Sequence, residues 1–179
     1  YWDYILAEYE LEGRVQQITY NGQLGDWLLD PQQVTQIFVT SEPYRAEQEG
    51  ADFGYLLVLE SGFNPYTNMM VTTEDYIQNH SAELEAFVTA SQEGWERFLD
   101  NPERYIDILQ QENDLIEEDY VFWSNEQQLP FIRTGDALEG GIGVMTQERW
   151  QVLHDQLLEL ELISEPMNVE DVFTLEFLP

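Results

Sequence analysis

The chain has 179 residues, 43% of them hydrophobic and 13% aromatic, which suits one folded domain or two small lobes and excludes a disordered tail. Acidic residues number 36 against 6 basic ones, for a net charge of −30, and so negative a surface repels nucleic-acid phosphates and anionic lipid, so neither is expected as a partner. Cysteine is absent, which excludes disulfides, thiolate metal sites and cysteine nucleophiles, and no run reaches the roughly 18 apolar residues of a membrane-spanning helix.

The chain opens at Tyr1 inside an amphipathic pattern, as expected of a longer precursor lacking its N-terminal part. Residues 2–11, WDYILAEYEL, read as a helix closed by Gly13. VQQITY (15–20) reads as a strand, NGQLGD (21–26) as a loop, and Asp30-Pro31 as the start of a very short helix. Residues 36–40 form a further strand, and Ser41 is placed to cap a helix ending near Gly50. GYLLVLE (54–60) is a continuous apolar run, the pattern of a strand covered on both faces, and NMMVTT (68–73) is one more candidate. Strands alternating with short helices predict an α/β layer structure with a largely parallel sheet.

Beyond Gly62 and Pro65 the chain becomes helical. Leu84, Phe87, Val88, Trp95, Phe98 and Leu99 recur at helical spacing over 81–100, and Asn101-Pro102 starts another helix with Tyr105, Ile106, Ile108 and Leu109 on its apolar side. A helix is expected over 115–128, and another from Thr146 that buries Trp150, Leu153, Leu157 and Leu158. The tail, VFTLEFLP, is expected to extend and pack back on the body.

Few residues invite catalysis. His80 and His154 are the two histidines, neither with a partner constellation near it in sequence, and both read as structural or surface residues. Nucleophile-elbow spacing is absent, and the run Glu117, Glu118, Asp119 reads as a solvated face. GGIGVM (140–145) lacks the lysine and the preceding strand of a phosphate loop, so it reads as a turn before the Thr146 helix. Ligands in open α/β sheets bind beyond the carboxyl ends of strands, which is where Thr40, Ser41 and Glu42 fall, as do Asn21, Gly22 and Gln23. Glu42 then has two readings, a charge placed favourably at a helix start or an acceptor for a ligand's amino group or protonated ring nitrogen. Position alone does not choose between them.

FVTSEPYRAEQEG (38–50), GFNPYTNMMVTTEDYIQNH (62–80) and AFVTASQEGWERFLDNPE (86–103) together resemble the substrate-binding proteins of ABC importers. The branch they resemble holds the nitrate, sulfonate and taurine binders and the yeast thiamine-pyrimidine protein. GIGVMTQERWQVLHDQLLELELI (141–163) and DVFTLEFLP (171–179) extend the resemblance over nearly the whole chain. It implies a two-lobed α/β fold of the type II periplasmic-binding kind, of which this chain is the C-terminal portion. Residues 1–59 would then be part of the second lobe, and 60–179 the crossover and the mostly helical return to the first. Carried over position by position, the cleft residues are Asn21, Gly22, Thr40, Ser41, Glu42, Asn64 and Tyr66. The resemblance further implies a monomeric, non-catalytic binding protein with no cofactor and no metal. It would be periplasmic or anchored outside the cell, and would carry a small molecule to a membrane permease.

A carboxylate in the cleft disfavours nitrate or sulfonate and favours an amino-bearing heterocycle such as a thiamine-precursor pyrimidine. The alternative is an enzyme of that metabolism on the same fold; the pyrimidine-synthesising relatives use histidine and a cysteine-containing motif, and the lack here of cysteine and of a comparable histidine cluster weighs against it. A sensory module built from the same lobes is the third alternative. The charge adds an expectation of work in high salt, where a Debye length of about 3 Å at 1 M screens self-repulsion.

Overall fold

The computed structural model describes residues 1–178. Its α-helices are α1 Trp2–Glu8, α2 Gly25–Leu29, α3 Glu42–Gln48, α4 Glu74–Asn79, α5 Ser81–Asp100, α6 Ile106–Glu112, α7 Glu118–Ile132, α8 Ala137–Gly140 and α9 Gln147–Glu159. Shorter 3-10 turns lie at Val58–Ser61, Pro102–Tyr105 and Val169–Asp171. Among the described residues no helix is long and apolar enough to cross a membrane.

The expected α/β type II periplasmic-binding fold is corrected: no strand is present among the described residues. VQQITY, residues 36–40, GYLLVLE and NMMVTT all run outside regular structure, apart from the 3-10 turn beginning at Val58. A strand exists only when a neighbouring strand takes its N–H and C=O groups, and an apolar run reports hydrophobicity without reporting that neighbour. Leu56 is 93% exposed, so the run read as covered on both faces is uncovered there, and Val71 in NMMVTT is 88% exposed. Helices fared better because their hydrogen bonds are local. Even so, Asp30-Pro31 begins no helix; Asp30 Oδ1 accepts from the Gln32 N–H at 3.0 Å, closing a turn after α2.

The chain divides into two compact units. The first comprises residues 1–16, 56–92 and 135 onward. Its buried side chains are Phe63, Val169 and His154. The Tyr4 ring lies 5.3 Å from Phe63, and its hydroxyl donates to the Ser61 carbonyl at 3.0 Å. Thr146 caps α9 as expected, accepting from the Arg149 N–H. In the turn before it, a Cβ on Gly140 would meet Val144 Cγ2 at 2.5 Å, so a side chain there would displace the valine.

His154 Nε2 accepts the Met167 N–H at 3.1 Å, which leaves the ring proton on Nδ1, 2.8 Å from Asp155. That contact, with a second from Gln151, holds the Asp155 carboxyl below its ordinary range. Trp150, Leu153, Leu157 and Leu158 are partly rather than fully covered. The tail does pack back, with Phe173 stacked 5.7 Å from Trp150; its last residue, Pro179, lies outside the described residues.

The second unit comprises residues 17–55 and 93–134. Tyr44, Ala46, Leu99, Ile106 and Val121 form its buried core. Of the apolar stripe predicted along α5, Leu99 is buried whereas Trp95 is 42% exposed. The Tyr44 ring packs 5.3 Å from Tyr120 and 5.4 Å from Trp123, joining α3 to α7. Arg133, just past α7, pairs with Asp100 at 2.7 Å and with Glu96, tying that helix end to α5. The helix expected over 115–128 starts three residues later and continues through Pro130 to Ile132.

Candidate functional site

In the second unit the chain turns sharply before α3. The Ser41 N–H donates to the Phe38 carbonyl at 3.0 Å, and Glu42 Oε2 accepts the Phe38 N–H at 2.8 Å. The Glu42 carboxylate therefore closes its own turn. Ser41 makes no cap bond to α3, and the Tyr120 hydroxyl donates to the Thr40 carbonyl at 3.1 Å. Replacing Glu42 by alanine is expected to cost about 1 kcal/mol, the worth of one charge-assisted bond at a partly exposed site. Glu42→Gln keeps an acceptor for Phe38 and should lose less than half as much. Urea titration in molar KCl reads both, and equal losses would show that the bond is not what Glu42 contributes.

Beside this turn opens a cavity of about 220 Å³. Ser41 and Arg45 line one side, and the 113–117 turn with Tyr120 lines the other. Arg45 Nη1 stands 3.8 Å from Glu117 Oε1, with both side chains more than half exposed. The Tyr44 hydroxyl donates to the other Glu117 oxygen at 3.4 Å. Burial first, then the Glu117 and Asp119 charges, raise the Tyr44 pKa, so its proton stays in place to donate. Ligand pockets commonly span about 300–1,000 Å³, so this cavity suits a single ring, a short polar chain or one edge of a larger ring system.

Asn64 and Tyr66 fall in the first unit, where their polar groups are already engaged. The Tyr66 hydroxyl donates to the Asp136 carboxylate and accepts the Thr146 N–H at 2.8 Å. The Arg149 guanidinium lies 4.0 Å over the Tyr66 ring and donates to the Asn64 carbonyl at 2.7 Å, the Asn64 side-chain oxygen at 2.9 Å and the Pro65 carbonyl at 3.1 Å. Its remaining arm faces Asp136 at 3.6 Å. This is a clamp that fixes residues 64–66 to the start of α9.

Asn21 and Gly22 lie in the second unit's exposed loop and do not line the cavity. Asn21 accepts from the Gln23 N–H and donates to Asp26, each at 3.0 Å, and Gly22 has φ +75°. The cavity thus gathers Ser41 from the predicted set and adds Arg45, Asn113, Glu117 and Tyr120. Glu117 had a legible signal, an acidic residue just ahead of a helix, but it sat inside a run of carboxylates that reads as solvated surface. Arg45 is one of six cations in the chain, which was a signal of its own.

Residues 31–105 match the model of a family described as NMT1/THI5 like. The riboflavin-binding protein RibY of Chloroflexus aurantiacus is 24% identical over 154 residues, a stretch taking in 79% of this chain and 41% of that protein. The chain therefore spans about two fifths of the length of the curated relative it matches. No solved structure matches the chain. The resemblance read from the motifs, to the branch of substrate-binding proteins that includes this family, is borne out over part of the chain. The family match takes in Ser41, Arg45, Asn64 and Tyr66 and stops at Tyr105, short of Glu117, Tyr120 and Arg149.

Proposed function

We propose that this chain is the solute-binding part of an ABC importer, working outside the cytoplasmic membrane and passing a small molecule to a membrane permease without transforming it. The family match over residues 31–105 carries this reading, and the cavity beside Ser41 supports it. The relative's name supplies a ligand to try, since riboflavin, like a thiamine-precursor pyrimidine, is a nitrogen heterocycle. Thr40, Ser41 and Glu42 stay in the proposal as the turn that brings Ser41 to the cavity. Asn64 and Tyr66 stay as a fixed crossover, and Asn21 and Gly22 as a ligand-facing loop. The binding unit is one copy of the chain, and a high-salt surrounding belongs to the same proposal because of the charge of −30.

A thermal-shift screen in molar KCl tests it, with riboflavin, thiamine-precursor pyrimidines, taurine, nitrate and putrescine each added to the full chain. A ligand at 100 times its dissociation constant adds about 2.7 kcal/mol of stability, enough for a clear rise in melting temperature. At least one compound is expected to raise it, with saturable binding by calorimetry. A flat response across the panel overturns the reading.

A further inference from the structure

We infer that the cavity beside Ser41 selects a planar heterocycle by an edge on which an N–H donor and an acceptor stand side by side. Glu117 takes the N–H, and Arg45 donates to the neighbouring carbonyl oxygen or ring nitrogen. The inference rests on the solute-binding reading and names the ligand class that the site would hold.

The ion pair at the cavity is not closed. Arg45 Nη1 and Glu117 Oε1 are 3.8 Å apart, beyond the roughly 2.7–3.2 Å of an N–H···O hydrogen bond. Side-chain exposures of 64% and 56% leave both groups open to a third party. The other Glu117 oxygen receives a long bond from Tyr44, at 3.4 Å. A cation and an anion held next to each other, each with valence to spare, form a complementary template. It matches an imide or lactam edge, and equally the amino and ring-nitrogen edge of an aminopyrimidine.

The neighbouring groups sharpen that selectivity. Asn113 Oδ1 is occupied, accepting the Leu115 N–H at 3.1 Å, so its amide nitrogen is left as a donor on the Arg45 side of the balance. Tyr120, with its hydroxyl anchored on the Thr40 carbonyl, gives the cavity an aromatic border, and such a ring favours flat ligands by stacking. The same pair rejects nitrate, simple alkylsulfonates and polyamines. Nitrate and alkylsulfonate groups offer only acceptors and would face the Glu117 charge. A polyamine offers only donors and would face Arg45. Glu42, the carboxylate singled out from sequence, is taken up by the Phe38 N–H, and Glu117 assumes the role of ligand acceptor.

The test uses the full chain in molar KCl with paired probes. Riboflavin is compared with N3-methylriboflavin, which lacks the imide N–H, and 4-aminopyrimidine with 4-dimethylaminopyrimidine. Methanesulfonate and putrescine complete the set, and the variants are Glu117→Ala and Arg45→Met. Binding of riboflavin or the aminopyrimidine is expected, at least tenfold weaker for the methylated partner and for each variant. Which of the two parent probes binds tells the imide source from the amino source, and either supports the inference. Far-ultraviolet circular dichroism of both variants must match the parent, which is expected because Glu117 makes no cap bond to α7 and Arg45 is largely exposed.

Tight binding of methanesulfonate or putrescine overturns the selectivity while leaving a solute-binding protein. So does a heterocycle whose affinity is unchanged by methylation and by both variants. If nothing in the set binds the parent chain, it is the solute-binding reading that fails, and the inference with it.

Discussion

Replacing Arg149 by methionine is expected to destabilise the first unit by about 2–3 kcal/mol. Methionine keeps much of the aliphatic length and removes the guanidinium, so the loss reports the head group. That head group donates to the two consecutive carbonyls of Asn64 and Pro65, to the Asn64 side chain, and faces Asp136, all while covering the Tyr66 ring. Hydrogen bonds to a charged group are worth about 1.5–3 kcal/mol net when partly shielded. They are not additive here, and the side chain is 30% exposed, so the sum over several bonds is discounted to the about 2–3 kcal/mol expected.

Lysine should recover less than half of the loss, because one ammonium cannot hold a fork of carbonyls and lie flat on a ring at once. Urea melts of the parent, Arg149→Met and Arg149→Lys, followed by tryptophan fluorescence from Trp150, would check the ordering. A methionine variant within about 0.5 kcal/mol of the parent, the usual span for surface changes, would mean that the clamp is ornamental.

The second large effect is that of salt. Going from 0.1 M to 2 M KCl is expected to raise the urea midpoint steeply, adding several kcal/mol, with most of the gain complete near 1 M. The net charge of −30 is spread over a chain whose basic partners number six, so most carboxylates repel one another without compensation. The Debye length falls from about 10 Å to about 3 Å between 0.1 M and 1 M, and that removes repulsion between all but adjacent groups. Screening also weakens surface pairs such as Arg97–Glu93 at 2.8 Å. Exposed pairs of this i,i+4 kind contribute only about 0.3–0.5 kcal/mol each, so relief of repulsion wins. Midpoints that coincide at both salt concentrations would remove the argument and the high-salt setting together.

Helices were readable from the chain, α5 to the residue and α9 at its start. Thr146 announced the start of α9, and Ser81 through Asp100 carried the periodicity of α5 along its full length. Both depend on bonds between near neighbours. The sheet was misread for the opposite reason. GYLLVLE has strand composition, yet a strand is completed by residues far away, and none of the described ones comes to pair with it.

The candidate site shows the same divide. Ser41 and Glu42 stood out as a turn before a helix, a local feature. Glu117 and Tyr120 lie more than seventy residues further along and reach this turn through packing of α3 on α7. Asn64 and Tyr66 were picked out by the family pattern, but their partners Asp136, Thr146 and Arg149 sit 70–85 residues away. Composition could not name them.

The uncovered runs have a colloidal consequence. Leu56, Val71 and Val34 are all at least 88% exposed, and in a near-neutral protein such side chains invite copies to stick together. Here each molecule carries a strong like charge that holds its neighbours at a distance. The charge that opposes the fold from within is therefore also what keeps molecules apart, and one ion atmosphere governs both. Dilute buffer favours dispersal at the expense of the fold, and brine favours the fold at the expense of dispersal, so the protein's useful range is a window bounded on both sides.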